Sequence, residues 1–305
     1  MVWLSAGSGK STIAMRIASQ MKEEVVLLSS DAIRGEIYGD ENCQRDPGRV
    51  FDIMHQRTVA ALSKGISVIY DATNLSCKRR MNFLKSIAHI DCEKICVVVV
   101  TTPEDIAERM KSRDRKVPYI VVHKQLCQFQ CPNYYEGWDK IEINYNSDTE
   151  ACMASYRQLW AECDIPHDNP HHSLSVMEHM NKAADVMEEL AWKDDDLHLF
   201  HDRWVARIHD VGKARTKSFT DRNGNSTEVA HYIGHQNYGA YYSLIFDNGS
   251  FTPLEKDSLD NACLIQWHME HYLRKGEALL KFYAMFPPKF RKRLKALEKA
   301  DTSAH

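Results

Sequence analysis

The segment "LSAGSGKST" near the N-terminus combines closely spaced glycines with a lysine and two hydroxyl side chains. It follows the apolar run "VWLS" and opens a stretch with helical spacing, which is the context of a phosphate-binding loop. Gly7 and Gly9 let backbone amides approach phosphate oxygens, although Leu4 stands where the usual pattern has another glycine. The segment predicts an ATP-phosphate site with a catalytic lysine and a serine that holds Mg²⁺, formed by Gly7, Ser8, Gly9, Lys10, Ser11 and Thr12.

Further polar residues follow the next apolar runs. Asp31 comes after "EVVLLSS", where a carboxylate can accept a proton from an attacking hydroxyl or, equally, cap the next helix. Arg34 can hold an acceptor phosphate by a bidentate contact. In "DATN", Asp71 is placed to assist Mg²⁺, and Thr73 and Asn74 are placed to contact a substrate. These residues predict the acceptor side of a phosphoryl-transfer site.

Arginines occur in two later segments of this half. Arg109, Arg113 and Arg115 lie in "ERMKSRDRKVP", where a lid could fold onto the nucleotide and offset charge on the transferring phosphoryl group. Arg79 and Arg80 follow "DATN" and are interpreted as surface charge.

Histidines and acidic residues recur in the second half, in "NPHHSLSVMEHM", "WVARIHDVGK", "EVAHYIGHQNYGA" and "KALEKADTSAH". His172 and His179 are seven apart, and His231 and His235 are four apart, so each pair is expected on one helix face. Nitrogen and oxygen donors from several helices can hold a divalent metal that binds phosphate and activates water. The spacing alone leaves open the alternative that these are surface or hydrogen-bonded core residues.

The surrounding elements differ between the two halves. The first half alternates β-branched runs with amphipathic stretches, which predicts an α/β domain with a parallel sheet. The second half shows no strong strand signal and predicts an all-α domain. We place an α/β domain at 1–150, a partly helical linker at 151–165 and a helical domain at 166–305, with helices near 173–191, 197–212, 232–247, 254–272 and 287–300.

The bulk composition fits a globular protein of two domains. The 305 residues carry a formal net charge of −3, so there is no global attraction to polyanions or membranes. The basic segment "KFRKRLKALEK" is a local exception, and such runs are usually solvated helix faces. Nine cysteines without a CxxC motif, and the absence of a secretory signal or long apolar run, predict a cytoplasmic protein without a membrane partner.

The motifs "GSGKST", "SSDAIR", "DATN", "RMKSRDRKVP" and "FQCPNYYEGWDKI" together resemble the P-loop kinase family that includes 5′-polynucleotide kinases. The resemblance covers about residues 1–145 and implies an α/β P-loop kinase domain. It implies that Asp31 is the general base for a 5′-hydroxyl, that Arg34 clamps a phosphate, and that Arg113 or Arg115 is a lid arginine.

The order of "EHM", "IHDVGK", "VAHYIGHQNYGA" and "KADTSA" resembles the HD-superfamily phosphohydrolases, and in particular the HD domain attached to tRNA nucleotidyltransferases. The resemblance covers about residues 166–305 and implies an all-α HD-type domain in which Lys213 binds the scissile phosphate. His172, His268 and His271 are interpreted as helical histidines that face a neighbour. The implied metal ligands are His179, His209, Asp210 and Asp301, with His231 and His235 at a second metal position or at the phosphate.

The two resemblances together imply a bifunctional enzyme that heals broken nucleic-acid ends. The kinase would add a 5′-phosphate with ATP and Mg²⁺, and the HD domain would remove a 2′,3′-cyclic phosphate or a 2′- or 3′-phosphate with Mn, Ni, Co or Fe. The expected partners are nucleic-acid ends, RNA ahead of DNA, and a separate ligase. One alternative joins a small-molecule or nucleoside kinase to a nucleotide phosphohydrolase. Another is a nucleotide-sensing P-loop domain that regulates an HD hydrolase.

Overall fold

A computed structural model describes residues 2–3, 7–111, 117–170, 173–248 and 255–304. The chain divides into two units. The first consists of Met1–Val122 and Pro132–Asn146, and the second of His123–Cys131 and Ser147–His305. None of the helices in these described ranges has the length and apolar character needed to cross a membrane.

The first unit is built on a parallel sheet whose strands lie in the order β2-β3-β1-β4-β5. The strand β4 has the sequence "ICVVVV", and its residues from Cys96 to Val100 are buried, as expected for a central strand covered on both faces. The predicted α/β class of this half is confirmed. The strands are β1 (Val2–Trp3), β2 (Val25–Ser29), β3 (Ser67–Asp71), β4 (Ile95–Val100) and β5 (Lys140–Tyr145).

Helices connect these strands, and local sequence signals fix where several of them begin. Ser29 and Ser76 cap α2 and α4 with their side chains, and Asp46 caps α3 just ahead of Pro47. The helices are α1 (Lys10–Gln20), α2 (Ser30–Tyr38), α3 (Pro47–Leu62), α4 (Cys77–Ser86), α5 (Pro103–Lys111) and α6 (Tyr119–Cys127), of which the part from His123 onward belongs to the second unit.

The second unit is mostly helical, as predicted. Helix α11 lies in its core, and the side chains of Tyr238, Tyr241 and Tyr242 are fully buried. The segment predicted as a partly helical linker, 151–165, contains most of α7, which packs against α11. The helices are α7 (Thr149–Ala161), α8 (Val176–Ala191), α9 (Leu199–Ile208), α10 (Lys213–Thr216), α11 (His235–Phe246), α12 (Glu255–Trp267), α13 (Glu270–Leu273), α14 (Gly276–Ala284) and α15 (Pro288–Thr302).

The expectation that this unit has no strands is wrong. An antiparallel hairpin pairs β6 (Lys217–Thr220) with β7 (Ser226–Tyr232). The two strands are joined by "DRNGN", in which Gly224 has a φ of +88°. An Asn-Gly pair between polar and apolar residues is a strong hairpin signal, because its backbone favours the left-handed turn. The hairpin was not predicted because its two strands are short and partly polar.

Candidate active sites

The glycine-rich loop connects β1 to α1 with the backbone that phosphate binding requires. Gly7 and Gly9 have φ values of +86° and +87°, a left-handed conformation that L side chains rarely adopt. Gly9 is the N-cap of α1, and the intervening Ser8 is fully buried. The loop therefore presents backbone amides and the positive end of a helix to the same space.

Three of the predicted phosphate and Mg²⁺ residues converge beyond this loop. The Ser11 hydroxyl donates a hydrogen bond to Oδ2 of Asp71 over 2.6 Å, and Nζ of Lys10 lies 3.4 Å from Oδ1 of the same carboxylate. Asp71 is the last residue of β3 and is 2% exposed. A hydroxyl and a carboxylate are hard oxygen ligands of the kind that Mg²⁺ prefers, so the pair fits that ion. Thr12 is exposed on the first turn of α1.

The two acceptor-side residues are paired with each other. Nη1 of Arg34 lies 2.6 Å from Oδ1 of Asp31, which is in the first turn of α2. The side-chain cap of α2 is Ser29, whose hydroxyl accepts a hydrogen bond from Ala32. The capping role considered for Asp31 is therefore filled by another residue, and its carboxylate is left at the carboxyl end of β2 beside a guanidinium group.

The loop that follows Asp71 is held by a buried arginine. Thr73 is half-buried and Asn74 is buried, while Arg80 is only 1% exposed. The Arg80 guanidinium forms a bidentate ion pair with Glu136 and donates hydrogen bonds to the carbonyl oxygens of Asn74 and Leu75. The prediction that Arg80 is surface charge is wrong, because its partner is 56 positions away and no local pattern reveals it. The neighbouring Arg79 is exposed, as predicted.

The predicted lid arginines are only partly covered by the structure. Arg109 lies in the last turn of α5, and its guanidinium donates hydrogen bonds to the carbonyl oxygens of Asn146 and Ser8. Arg113 and Arg115 lie outside the described residues. Arg109 therefore links the phosphate-binding loop to the residue that follows β5.

In the second unit, four predicted metal ligands converge in a buried cluster. They come from α8, from the turn after α9 and from α15. Nε2 of His179 lies 3.0 Å from Oδ1 of Asp301, and Nε2 of His209 lies 3.4 Å from Oδ2 of Asp210. One donor atom from each of the four residues lies within 4.8 Å of all the others. This spacing would allow one ion to be bound by all four.

A second group shares one carboxylate with the first. Nε2 of His235 lies 3.3 Å from Oδ1 of Asp210, and Nε2 of His268 lies 3.5 Å from the same oxygen. His268 was interpreted as facing a neighbour and not as a ligand. It immediately follows α12, far from the other donors in sequence, so only the packing of the helices places it here.

His231 occupies a different position from the one expected. The sequence predicted His231 and His235 on one face of a single helix, but His231 lies on β7 opposite Ser218 and His235 begins α11. The glycine between them, Gly234, has a φ of +82°, which turns the chain from strand to helix. His231 belongs to neither donor group among the described residues, although it lines the adjoining cavity.

The histidine rings of both donor groups are held through Nδ1 by backbone carbonyl groups. In His179, His209, His235 and His268, Nδ1 lies 2.6–3.0 Å from a backbone carbonyl oxygen. A neutral ring that donates from Nδ1 leaves Nε2 with a lone pair, which is how ligating histidines are commonly held. Within the described ranges, Nε2 of the last three rings and Oδ1 of Asp210 are buried without a hydrogen-bond partner. These atoms fit a bound divalent cation.

Charged neighbours shift the pKa values of Asp210 and His209. Burial alone would raise the pKa of Asp210, but the nearby Lys213 and His209 hold it well below its usual range. Burial alone would lower the pKa of His209, but the Asp210 and Asp301 carboxylates raise it to about 10. Neighbouring groups of opposite charge therefore outweigh the effect of burial on both pKa values.

Lys213 is fixed at the edge of the cluster. Its Nζ lies 2.6 Å from Oδ2 of Asp210, 3.2 Å from Nε2 of His167 and 5.4 Å above the ring of Tyr232. Burial and the Lys213 charge lower the pKa of His167 to about 4, so this ring is neutral and accepts the Lys213 hydrogen bond. His167 was not singled out from the sequence, where it precedes the more prominent "NPHHS".

A cavity of about 900 Å³ leads to this cluster. Two cluster carboxylates and Lys213 form part of its wall, and the β6–β7 hairpin supplies another part. The volume is sufficient for a nucleotide-sized ligand. Its polar lining includes Asn169, Asp210, Lys213, Arg222, Asn223, His231, His235, Gln236 and Asp301.

Comparison with known families gives a match in the N-terminal part of the chain. Residues 5–132 match the model of a family described as an AAA domain. Among curated proteins, no match to the chain was found. Together with the loop geometry, the family match supports a P-loop domain of the kinase-like class in this part of the chain. Such a domain uses ATP and Mg²⁺.

Proposed function

We propose that this protein is a bifunctional enzyme that heals nucleic-acid ends. The first unit phosphorylates 5′-hydroxyl ends with ATP, and the second removes a 2′,3′-cyclic phosphate or a 2′- or 3′-phosphate with a divalent metal. The observation that carries the proposal is the buried group of His179, His209, Asp210 and Asp301, at a large polar cavity, in a chain that also contains a kinase-like P-loop domain.

In the kinase reaction, Asp31 accepts the proton of the attacking 5′-hydroxyl and Lys10 binds the terminal phosphates of ATP. The Arg34 guanidinium group forms an ion pair with the Asp31 carboxylate. The remaining N–H groups of Arg34 can bind an acceptor phosphate. Thr73 and Asn74 contact the acceptor. Ser11 and Asp71 would hold the Mg²⁺ ion, which neutralises charge on the phosphates when bound.

In the hydrolase reaction, the four-residue cluster would hold one ion, and Asp210, His235 and His268 would hold a second. Mixed imidazole and carboxylate donors suit Mn, Fe, Co or Ni, and such an ion supplies positive charge to phosphate oxygens and activates a water molecule. Lys213, which lines the cavity, binds the scissile phosphate in this proposal. His231 contacts the same phosphate from the hairpin.

The polynucleotide substrate rests on the resemblance of the acceptor-side motifs. Other basic residues support it less, because Arg80 is buried and the basic part of α15 is partly neutralised. Lys292 pairs with Asp194 and Asp196, and Arg293 pairs with Asp202. The main alternative keeps both activities but gives them small molecules, as a nucleoside or metabolite kinase joined to a nucleotide phosphohydrolase. A further alternative makes the P-loop domain a nucleotide sensor that regulates the hydrolase.

One experiment separates these possibilities. The purified protein is incubated with γ-labelled ATP and a 5′-hydroxyl oligoribonucleotide, its DNA counterpart, or a free nucleoside. Parallel reactions contain Mn, Ni or Co with an oligoribonucleotide ending in 2′,3′-cyclic phosphate, or with mononucleotides. We expect label transfer and end conversion on the oligoribonucleotides. Label transfer only to the nucleoside supports the small-molecule alternative. A hydrolysis rate that changes with ATP, without any label transfer, supports the sensor alternative.

Site variants assign each activity to its residues. Lys10→Ala and Asp31→Ala should abolish phosphorylation and leave hydrolysis intact, whereas Asp210→Ala should abolish hydrolysis and leave phosphorylation intact. If Asp31→Ala kept the full kinase rate, its assignment as the general base would be wrong.

A further inference from the structure

The Ser8 carbonyl oxygen, in the middle of the phosphate-binding loop, accepts hydrogen bonds from three side chains. Oγ1 of Thr101 donates over 2.9 Å, Nδ2 of Asn146 over 2.7 Å and Nη1 of Arg109 over 3.4 Å. Thr101 follows β4, Arg109 lies in α5 and Asn146 follows β5. One loop peptide is thus held by three separate segments of the first unit.

The orientation of this peptide determines where the next amide points. A trans peptide is planar, so the Ser8 carbonyl and the Gly9 N–H point in opposite directions. With the carbonyl held against Thr101 and Asn146, the Gly9 N–H faces away from them, on the side that receives phosphate in a loop of this type. We infer that Asn146 and Thr101 are positioning residues that orient the Gly9 amide toward the nucleotide phosphates.

The fit between Asn146 and Gly9 supports this role. A Cβ atom at Gly9 would lie 2.3 Å from Nδ2 of Asn146, so the amide packs directly against the glycine backbone. Asn146 is itself held, because its N–H donates to the Val100 carbonyl over 2.7 Å and its own carbonyl accepts from Arg109 over 2.5 Å. The backbone that carries this donor is therefore held on both sides, which favours a loop that is fixed before nucleotide binds.

A competing explanation is that Asn146 contacts the adenine base of ATP directly. The two roles differ in their effect on a ligand that has phosphates and no base. A residue that orients a loop amide affects ATP and tripolyphosphate equally, whereas a residue that contacts the base affects ATP alone.

The test is calorimetric titration of the full-length protein with ATP and with tripolyphosphate, both in excess Mg²⁺. We expect Asn146→Ala and Thr101→Val each to weaken binding about five- to tenfold, by the same factor for both ligands. Thr101→Val preserves the shape of a buried side chain, so it tests the inference even if Asn146→Ala fails to fold. Asn144→Ala, two residues earlier in β5, is the matched control and should bind both ligands as the wild type does.

Two results would overturn the inference. One is a loss confined to ATP, which would assign Asn146 to the base. The other is unchanged binding of both ligands by folded Asn146→Ala and Thr101→Val proteins. Because tripolyphosphate binding requires no acceptor, a failure to phosphorylate 5′-hydroxyl ends would refute the proposed function without altering this measurement.

Discussion

Replacement of His268 tests whether the buried cluster has two metal positions. His268 is fully buried, its Nδ1 lies 2.6 Å from the Ile265 carbonyl oxygen, and its Nε2 faces Asp210. His268→Ala leaves only Asp210 and His235 in the second donor group, whereas the first group keeps all four donors. We therefore expect the protein to lose one ion and to retain the other.

The size of the effect follows from the donor count. Disturbing a residue that merely orients a metal ligand lowers affinity about 10- to 100-fold, so the loss of a ligand should cost at least about 100-fold. This corresponds to about 2.7 kcal/mol of binding free energy at the second position. Nothing in the first unit changes, so phosphorylation should proceed at the wild-type rate.

The measurement is metal content by mass spectrometry after dialysis against a graded chelator, together with hydrolysis of the cyclic-phosphate oligoribonucleotide. His271→Ala is the matched control, because this half-buried ring lies three residues further on and belongs to neither donor group in the described chain. We expect two ions for wild type and His271→Ala, and one for His268→Ala with reduced hydrolysis. Equal metal content and equal hydrolysis in all three proteins would refute the two-position arrangement.

Three further changes have defined outcomes. Arg80→Met leaves the buried Glu136 carboxylate without its ion-pair partner, so it should lower the free energy of unfolding by about 3–5 kcal/mol in urea titrations. The control is Arg57→Ala, which removes an exposed ion pair and should change the free energy of unfolding by less than about 1 kcal/mol. Burial raises the pKa of Glu298 to about 7, so the folded state holds a proton that the unfolded chain releases above about pH 4.5. The Glu298→Gln protein should therefore be as stable as the wild type near pH 4. As the pH rises to 7 the wild type loses stability, so the variant should become the more stable of the two. Melting temperatures measured across this pH range check the prediction. A Cβ at Gly212 would lie 2.1 Å from the His235 carbonyl oxygen, so Gly212→Ala should destabilise the second unit by about 1–3 kcal/mol and reduce its metal content.

Features set by residues that are close together in the sequence could be predicted from it. The phosphate-binding loop lies in one continuous stretch, so its glycines, Lys10 and Ser11 could be placed before the fold was known. The α/β class of the first half and the helical class of the second also followed from local periodicity. Asp71 could be placed near the loop because parallel strands bring their carboxyl ends to one edge of the sheet.

Features that depend on distant contacts were missed or misassigned. Arg80 looked like surface charge because Glu136, which pairs with it, is far away in sequence. The four-residue spacing of His231 and His235 suggested one helix face, but the turn at Gly234 separates them into a strand and a helix. His268 had no local signal at all.

The adjacent residues His209 and Asp210 in "WVARIHDVGK" show what the sequence and the tertiary structure each decide. The sequence by itself determined that histidines and carboxylates recur in the second half of a chain whose first half contains a phosphate-binding motif, because composition and motif spacing are local properties. Only the tertiary structure decided that His209 and Asp210 lie in a turn after α9, and that Asp210 is shared by two donor groups. The physical reason is that a metal site needs donor atoms within a few ångströms, and the packing of α8, α11, α12 and α15 around that turn sets those distances.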